Sequence, residues 1–153
     1  MIFHRICLAG ITPLILSLLM TALAWAHPLD GFRNHNRLIL LSIAEQGSTS
    51  KIAATIKDAR NALSERDLKI IDLSVRPTDI EGLIRLSDEQ TALLRKEYQW
   101  KKEETRNAYV LIGKDGGEKD RQYVTLDLVK WFHLIDQMPM RRQEMHSRGR
   151  GRM

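Results

Sequence analysis

The sequence predicts an α/β domain in which helices cover a mixed four-stranded sheet, in the order β-α-β-α-β-β-α. Three observations predict it. Arg37–Ile43 and Ala108–Ile112 are short, nearly continuous apolar runs, the pattern of strands buried on both faces. Ile52, Ile56, Ala59 and Leu63 recur at helical spacing directly after the first run. Lys114-Asp115-Gly116-Gly117 follows the second run, and Asp-Gly is a strong hairpin signal. A chain of 153 residues suits one such domain.

Each element has its own reason. The first strand, RLILLSI at 37–43, runs into the turn cluster Gln46-Gly47-Ser48-Thr49. Ser48, Thr49 or Ser50 then caps the first helix, because a hydroxyl oxygen satisfies free amides of a first turn. Leu68–Leu73 alternates for part of its length, as a strand with one wetter side does. Arg76-Pro77-Thr78-Asp79 breaks it, and Ile80–Leu86 fits no template. Ser87-Asp88-Glu89-Gln90 is a capping box that opens a helix reaching toward Gln99. Ala108–Ile112 and the mostly polar Glu118–Val124 are the arms of the hairpin. Thr125 caps the last helix, whose buried stripe is Leu128, Trp131, Phe132, Ile135 and Met138, and Pro139 ends it.

This order has geometric consequences. Strands joined through a helix run parallel with a right-handed crossover, and those joined by a tight turn run antiparallel. The two most apolar strands, 38–43 and 109–112, are expected in the centre, with 68–73 and 118–124 on the edges.

The first 26 residues read as a removable leader. Met1–Arg5 is a short basic start, and Ile6–Leu23 is apolar except for Thr12, Ser17 and Thr21. Ala24-Trp25-Ala26 places small residues where a signal peptidase reads, so cleavage is expected before His27. The alternative, an uncleaved membrane anchor, is disfavoured by Gly10 and Pro13. The expected organisation is a signal peptide at 1–26, a domain at 27–140, and a basic, disordered tail at 141–153, in a periplasmic or secreted protein.

Charge and cysteine usage then exclude whole classes. The one cysteine, Cys7, lies in the leader and away from the cleavage point, where a lipoprotein needs it. From His27 onward there is no disulfide, no thiolate nucleophile and no Cys-ligated metal, so thiol-based catalysis is excluded there. The formal net charge is +5, yet residues 27–140 hold 18 basic and 18 acidic side chains. The excess belongs to the tail, with five arginines and one glutamate beyond Met140. Arg-Gly alternation suits nucleic acid, but export argues against that partner. An anionic membrane surface is the alternative to a merely solvated terminus.

With these elements in hand, the arrangement resembles a thioredoxin-like three-layer sandwich, where a β-α-β unit and a β-β-α unit share one sheet. More narrowly, Val110–Lys119 (VLIGKDGGEK) and Leu134–Met145 (LIDQMPMRRQEM) resemble the bacterial exported family called domain of unknown function 4174. Arg37–Ile43 and Leu63–Ile71 match it more loosely. That family is similar to domains of the animal extracellular proteins equarin and sushi-repeat-containing proteins. The resemblance implies a peroxiredoxin-like fold and no agreed activity.

The chain departs from redox relatives where it matters. A thioredoxin-type enzyme places Cys-x-x-Cys after its first strand, where helix-start amides stabilise a thiolate. Here that place is Glu45-Gln46-Gly47-Ser48-Thr49-Ser50. The same families place a proline before the third strand, where this chain has Thr105-Arg106-Asn107-Ala108. Ser48, Thr49 and Ser50 read as caps rather than a nucleophile, and His133 as a partly exposed helix residue rather than a base.

No catalytic, cofactor or metal residue is therefore assigned. The reading is a non-catalytic binding or accessory module for an unknown protein or envelope component. The alternative is an oxidoreductase-like or copper-handling protein. Cleavage before His27 would leave an amine and an imidazole on one residue, with His35 as a third donor. Met138, Met140, Met145 and His146 would offer soft ligands for Cu(I).

Overall fold

A computed structural model describes residues 27–76, 78–100 and 105–150. The leader and Cys7 lie outside the described residues, as do the last three residues of the tail. Five strands, β1 (Arg37–Ser42), β2 (Leu68–Asp72), β3 (Leu83–Arg85), β4 (Ala108–Ile112) and β5 (Glu118–Tyr123), form one sheet in the order β3-β2-β1-β4-β5. The helices are α1 (Thr49–Asp58), α2 (Arg60–Glu65), α3 (Asp88–Glu97), α4 (Leu128–Asp136) and α5 (Pro139–Arg150). Strands β1, β2 and β3 are parallel, and β4 is antiparallel to both β1 and β5.

The sheet therefore has five strands rather than the expected four. The fifth is β3, inside the stretch that fits no template, paired with β2 from Ile70↔Leu83 to Asp72↔Arg85. Three residues are too few to display a period of two. Its presence moves β2 off the edge and removes its expected wet side: only Lys69 of β2 is exposed.

Alternation across β1 and β4 divides the core into two layers. Ile39, Leu41, Tyr109 and Leu111 face Ile52, Ile56 and Leu63 of α1 and α2, with Trp131 and Ile135 of α4. Leu38, Leu40, Val110 and Ile112 face Leu94 of α3 and the following Tyr98 and Trp100. Each fully buried aliphatic side chain contributes about 1.5–3 kcal/mol.

Helix ends follow local chemistry, with corrections. The capping box is present: Ser87 Oγ accepts from Gln90 N, and Gln90 Oε1 accepts from Ser87 N at 3.1 Å. The stripe from Ile52 to Leu63 spans two helices, because α1 closes at Ala59. Asp127, not Thr125, caps α4, its carboxylate accepting from Lys130 N at 2.9 Å. As expected, α4 closes at Gln137 ahead of Pro139; Pro139 then opens α5, since a first helical position needs no N–H.

The expected boundary at Met140 also fails, for α5 continues through it to Arg150. Arg141 is 1% exposed and reaches Asp136 at 3.2 Å and the Glu65 carbonyl at 2.8 Å. Glu144 meets Arg37 at 3.2 Å and Lys114 at 2.8 Å. Buried cations paired with half-buried carboxylates hold the start of this helix to the body.

Candidate functional site

In an open parallel sheet, ligands and reactive groups collect beyond the carboxyl ends of the strands. Two places in this fold lie at that end of the sheet.

The first is the turn from β1 into α1, where a redox enzyme carries its cysteines. Asn107, just before β4, is 3% exposed and reaches across to it. Its Oδ1 accepts from Ala44 N at 3.0 Å and Glu45 N at 3.3 Å, and its Nδ2 donates to the Val124 carbonyl at 3.4 Å. Two amides that could stabilise an anion are thereby engaged within the fold. Burial pushes the Tyr109 phenol up to about 12, the Asn107 amide opposing only part of that shift. Its hydroxyl has no hydrogen-bond partner in good geometry among the described residues. Ser48 is the N-cap residue of α1 but makes no capping bond, its hydroxyl donating instead to Glu45 Oε2 at 3.2 Å. The loop and the Asn107 turn are closed on each other.

The second place is a cleft of about 970 Å³ between the ends of β2 and β3 and the side of α3. Asp72, Ser74, Val75, Arg85, Arg95 and Trp100 are among its walls. Asp72 is buried, with Oδ1 accepting from Ser74 N at 2.9 Å and Oδ2 from Thr78 N at 3.0 Å and Thr78 Oγ1 at 2.7 Å. Ser74 Oγ accepts from Ile43 N at 2.9 Å. Arg95 Nη1 donates to Ser42 Oγ at 2.9 Å and the Leu73 carbonyl at 2.6 Å. These groups shape the cleft, and sequence reading missed them. The one available signal was Asp72-x-Ser74, an aspartate folding back on its own turn.

The metal donors considered in the sequence are not brought together. The His27 ring uses both nitrogens, Nε2 with Glu97 Oε2 at 2.7 Å and Nδ1 accepting from Leu29 N at 3.3 Å. His35 is exposed and so is His133. Met138 and Met140 line a hollow whose cations are already paired, Arg37 and Lys114 with Glu144 and Lys119 with Asp115, and no third soft donor is among its described walls. His146 Nδ1 lies 2.5 Å from the Arg142 carbonyl within α5, and Met145 is exposed. No group of three or more His, Cys, Asp or Glu residues is placed to hold a metal among the described residues.

The family model described as Domain of unknown function (DUF4174) matches residues 28–144. No curated protein matches the chain. Among solved structures, the reduced 2-Cys peroxiredoxin of Plasmodium vivax superposes with a TM-score of 0.52 at 20% identity, over 71% of this chain and 68% of that one. Thioredoxin peroxidase I of Plasmodium yoelii gives 0.51 at 16% identity, over 71% and 75%. The thioredoxin domain of a thiol-disulfide oxidoreductase from Bacteroides vulgatus gives 0.50 at 11% identity, over 71% and 82%. These likenesses establish a thioredoxin-like fold and nothing about activity.

Proposed function

Because this chain belongs to the family described as Domain of unknown function (DUF4174) and carries its single cysteine at position 7, we propose that it is an exported thioredoxin-like binding or accessory module without thiol catalysis. The observation that carries the reading is Asn107. Its carboxamide takes the Ala44 and Glu45 amides and ties the place of a redox cysteine to the turn before β4. A reactive thiolate needs exposed, electropositive surroundings, and this locus offers neither a thiol nor free amides at those two positions.

The leader assigns the protein to the periplasm or the medium after cleavage before His27. Its partner is a protein or another envelope component, with contact of the basic C-terminal segment with anionic membrane as a weak addition. Purified residues 27–153, stripped of metal, are expected to show no dithiol-dependent reduction of insulin or peroxide above the buffer rate. Clear turnover in either assay overturns the reading. Intact-mass analysis of the exported protein is expected to begin at His27, and an uncleaved Met1 overturns the assignment of the leader.

A further inference from the structure

The cleft beside α3 has a chemistry of its own. Val75, Leu86, Ala92 and Trp100 give it an apolar floor, and Arg85, Arg95 and Lys96 set three cations around it. Two carboxylates share those walls. Asp72 is already held by three donors from Ser74 and Thr78. Asp88 lies in the first turn of α3, where the helix amides and dipole favour its charge. Arg85 already meets Asp79 at 3.0 Å and Arg95 holds Ser42 Oγ and the Leu73 carbonyl, so the exposed Lys96 is the cation that remains open to an anion beside the apolar centre. The size of the cleft is at the upper end of the range for small-molecule sites, roughly 300–1,000 Å³.

Trp100 supplies an independent sign. It is 5% exposed, and its indole N–H has no hydrogen-bond partner among the described residues. The other indole of the domain is satisfied, since Trp131 Nε1 donates to Asp120 Oδ2 at 2.8 Å. A buried donor without an acceptor costs about 1–3 kcal/mol, so native folds seldom keep one without a use.

We propose that this cleft binds a small amphiphilic anion, an acidic head group on an apolar or aromatic body. The body lies against Val75, Leu86 and Ala92, the head is drawn to Lys96, and an acceptor of the ligand meets the Trp100 N–H as the ring adjusts. The proposal rests on the reading of the domain as a binding module and names the class of ligand it takes.

The test uses residues 27–153 and 8-anilinonaphthalene-1-sulfonate, an aromatic sulfonate. Titration is expected to raise probe fluorescence saturably at one site and to move the Trp100 indole proton signal while that of Trp131 stays in place. Ala92→Trp, which fills the cleft from an exposed helix position, is expected to weaken binding about tenfold or more. Lys96→Glu weakens it several-fold, with a loss that shrinks as salt rises. Equal binding by wild type and both variants overturns the proposal, as does a shift at Trp131 without one at Trp100. Should Ala92→Trp not fold, Lys96→Glu and the indole signals still decide. Failure here leaves the absence of thiol turnover standing, and thiol turnover would leave this binding result standing.

Discussion

Val124 sits at a φ of +67°, in the left-handed region that a β-branched side chain enters only under constraint. Asn107 applies the constraint from both sides: its carbonyl accepts from Val124 N at 2.8 Å, and its Nδ2 donates to the Val124 carbonyl. The same carboxamide closes the β1–α1 turn, so strain at one residue accompanies closure at another. The Val124 side chain is 63% exposed and returns little packing energy. A left-handed non-glycine residue costs roughly 1–2 kcal/mol, and asparagine tolerates that conformation better than valine. Val124→Asn is therefore expected to stabilise the domain by about 1 kcal/mol, raising the melting temperature by a few degrees. Thermal and urea unfolding check it. An unchanged or lower midpoint would mean that the valine side chain makes contacts worth as much as the strain.

At the scale of elements, what was legible in the sequence is what is encoded locally. The capping box at Ser87 and Gln90 and the Asp115-Gly116 turn were readable because each acts within a few residues, and Gly116 takes a φ of +83° there. The central strands β1 and β4 were readable because five or six consecutive buried residues leave a continuous apolar run. Strand β3 was not, being three residues on an edge. Helix α5 was not, because its reason to fold lies far away in the chain: Arg141 with Glu65, and Glu144 with Arg37 and Lys114. A helix with four arginines and little apolar content reads as solvated until those partners are in view. The cleft was illegible for a like reason, since β2, β3 and α3 each supply part of its wall. Two truncations separate the parts of α5. Ending the chain after Ser147 removes Arg148, whose half-exposed pairing with Asp67 at 3.5 Å contributes no more than about 1 kcal/mol. Ending it after Met140 removes Arg141 and Glu144 and leaves Arg37 and Lys114 buried without that counter-ion. Losing one side of a buried pair costs on the order of 3–5 kcal/mol, a large share of a typical domain's stability. Circular dichroism melts are expected to show a small shift for the first truncation and a cooperative collapse for the second. Similar melting of both would mean that α5 contributes nothing to the fold.

For the whole molecule, the amino ends of β1 and β2, the turn after β4, and helices α2, α4 and α5 converge on one ionic network, at the end of the sheet opposite the cleft. Burial raises the Asp67, Asp136 and Glu144 carboxyls, but their cationic partners outweigh it and hold all three below their ordinary values. Lys114 acts on Asp67, Arg66 and Arg141 act on Asp136, and Lys114 and Arg37 act on Glu144. The direction fixes the sign of the linkage. A carboxyl with a lower pKa folded than unfolded contributes stability that is present above the unfolded value, about 3.9 for Asp and 4.3 for Glu. That stability is lost as pH falls through the folded value, because the unfolded chain then takes up more protons. Unfolding free energy is accordingly expected to be nearly flat from pH 7 to about 5 and to fall steeply below. General charge repulsion would also weaken the fold in acid, since residues 27–140 are electrically balanced only while their carboxylates are ionised. Salt separates the two causes: it screens exposed charges over a Debye length of about 10 Å or less, but acts far less on partly buried pairs. Glu144→Gln should lower stability at neutral pH and show a shallower acid loss than the parent, with the difference in slope surviving 0.5 M salt, roughly a 4 Å Debye length. Parallel acid profiles for parent and variant, or a difference that salt abolishes, would transfer the acid sensitivity from this network to the surface charge as a whole.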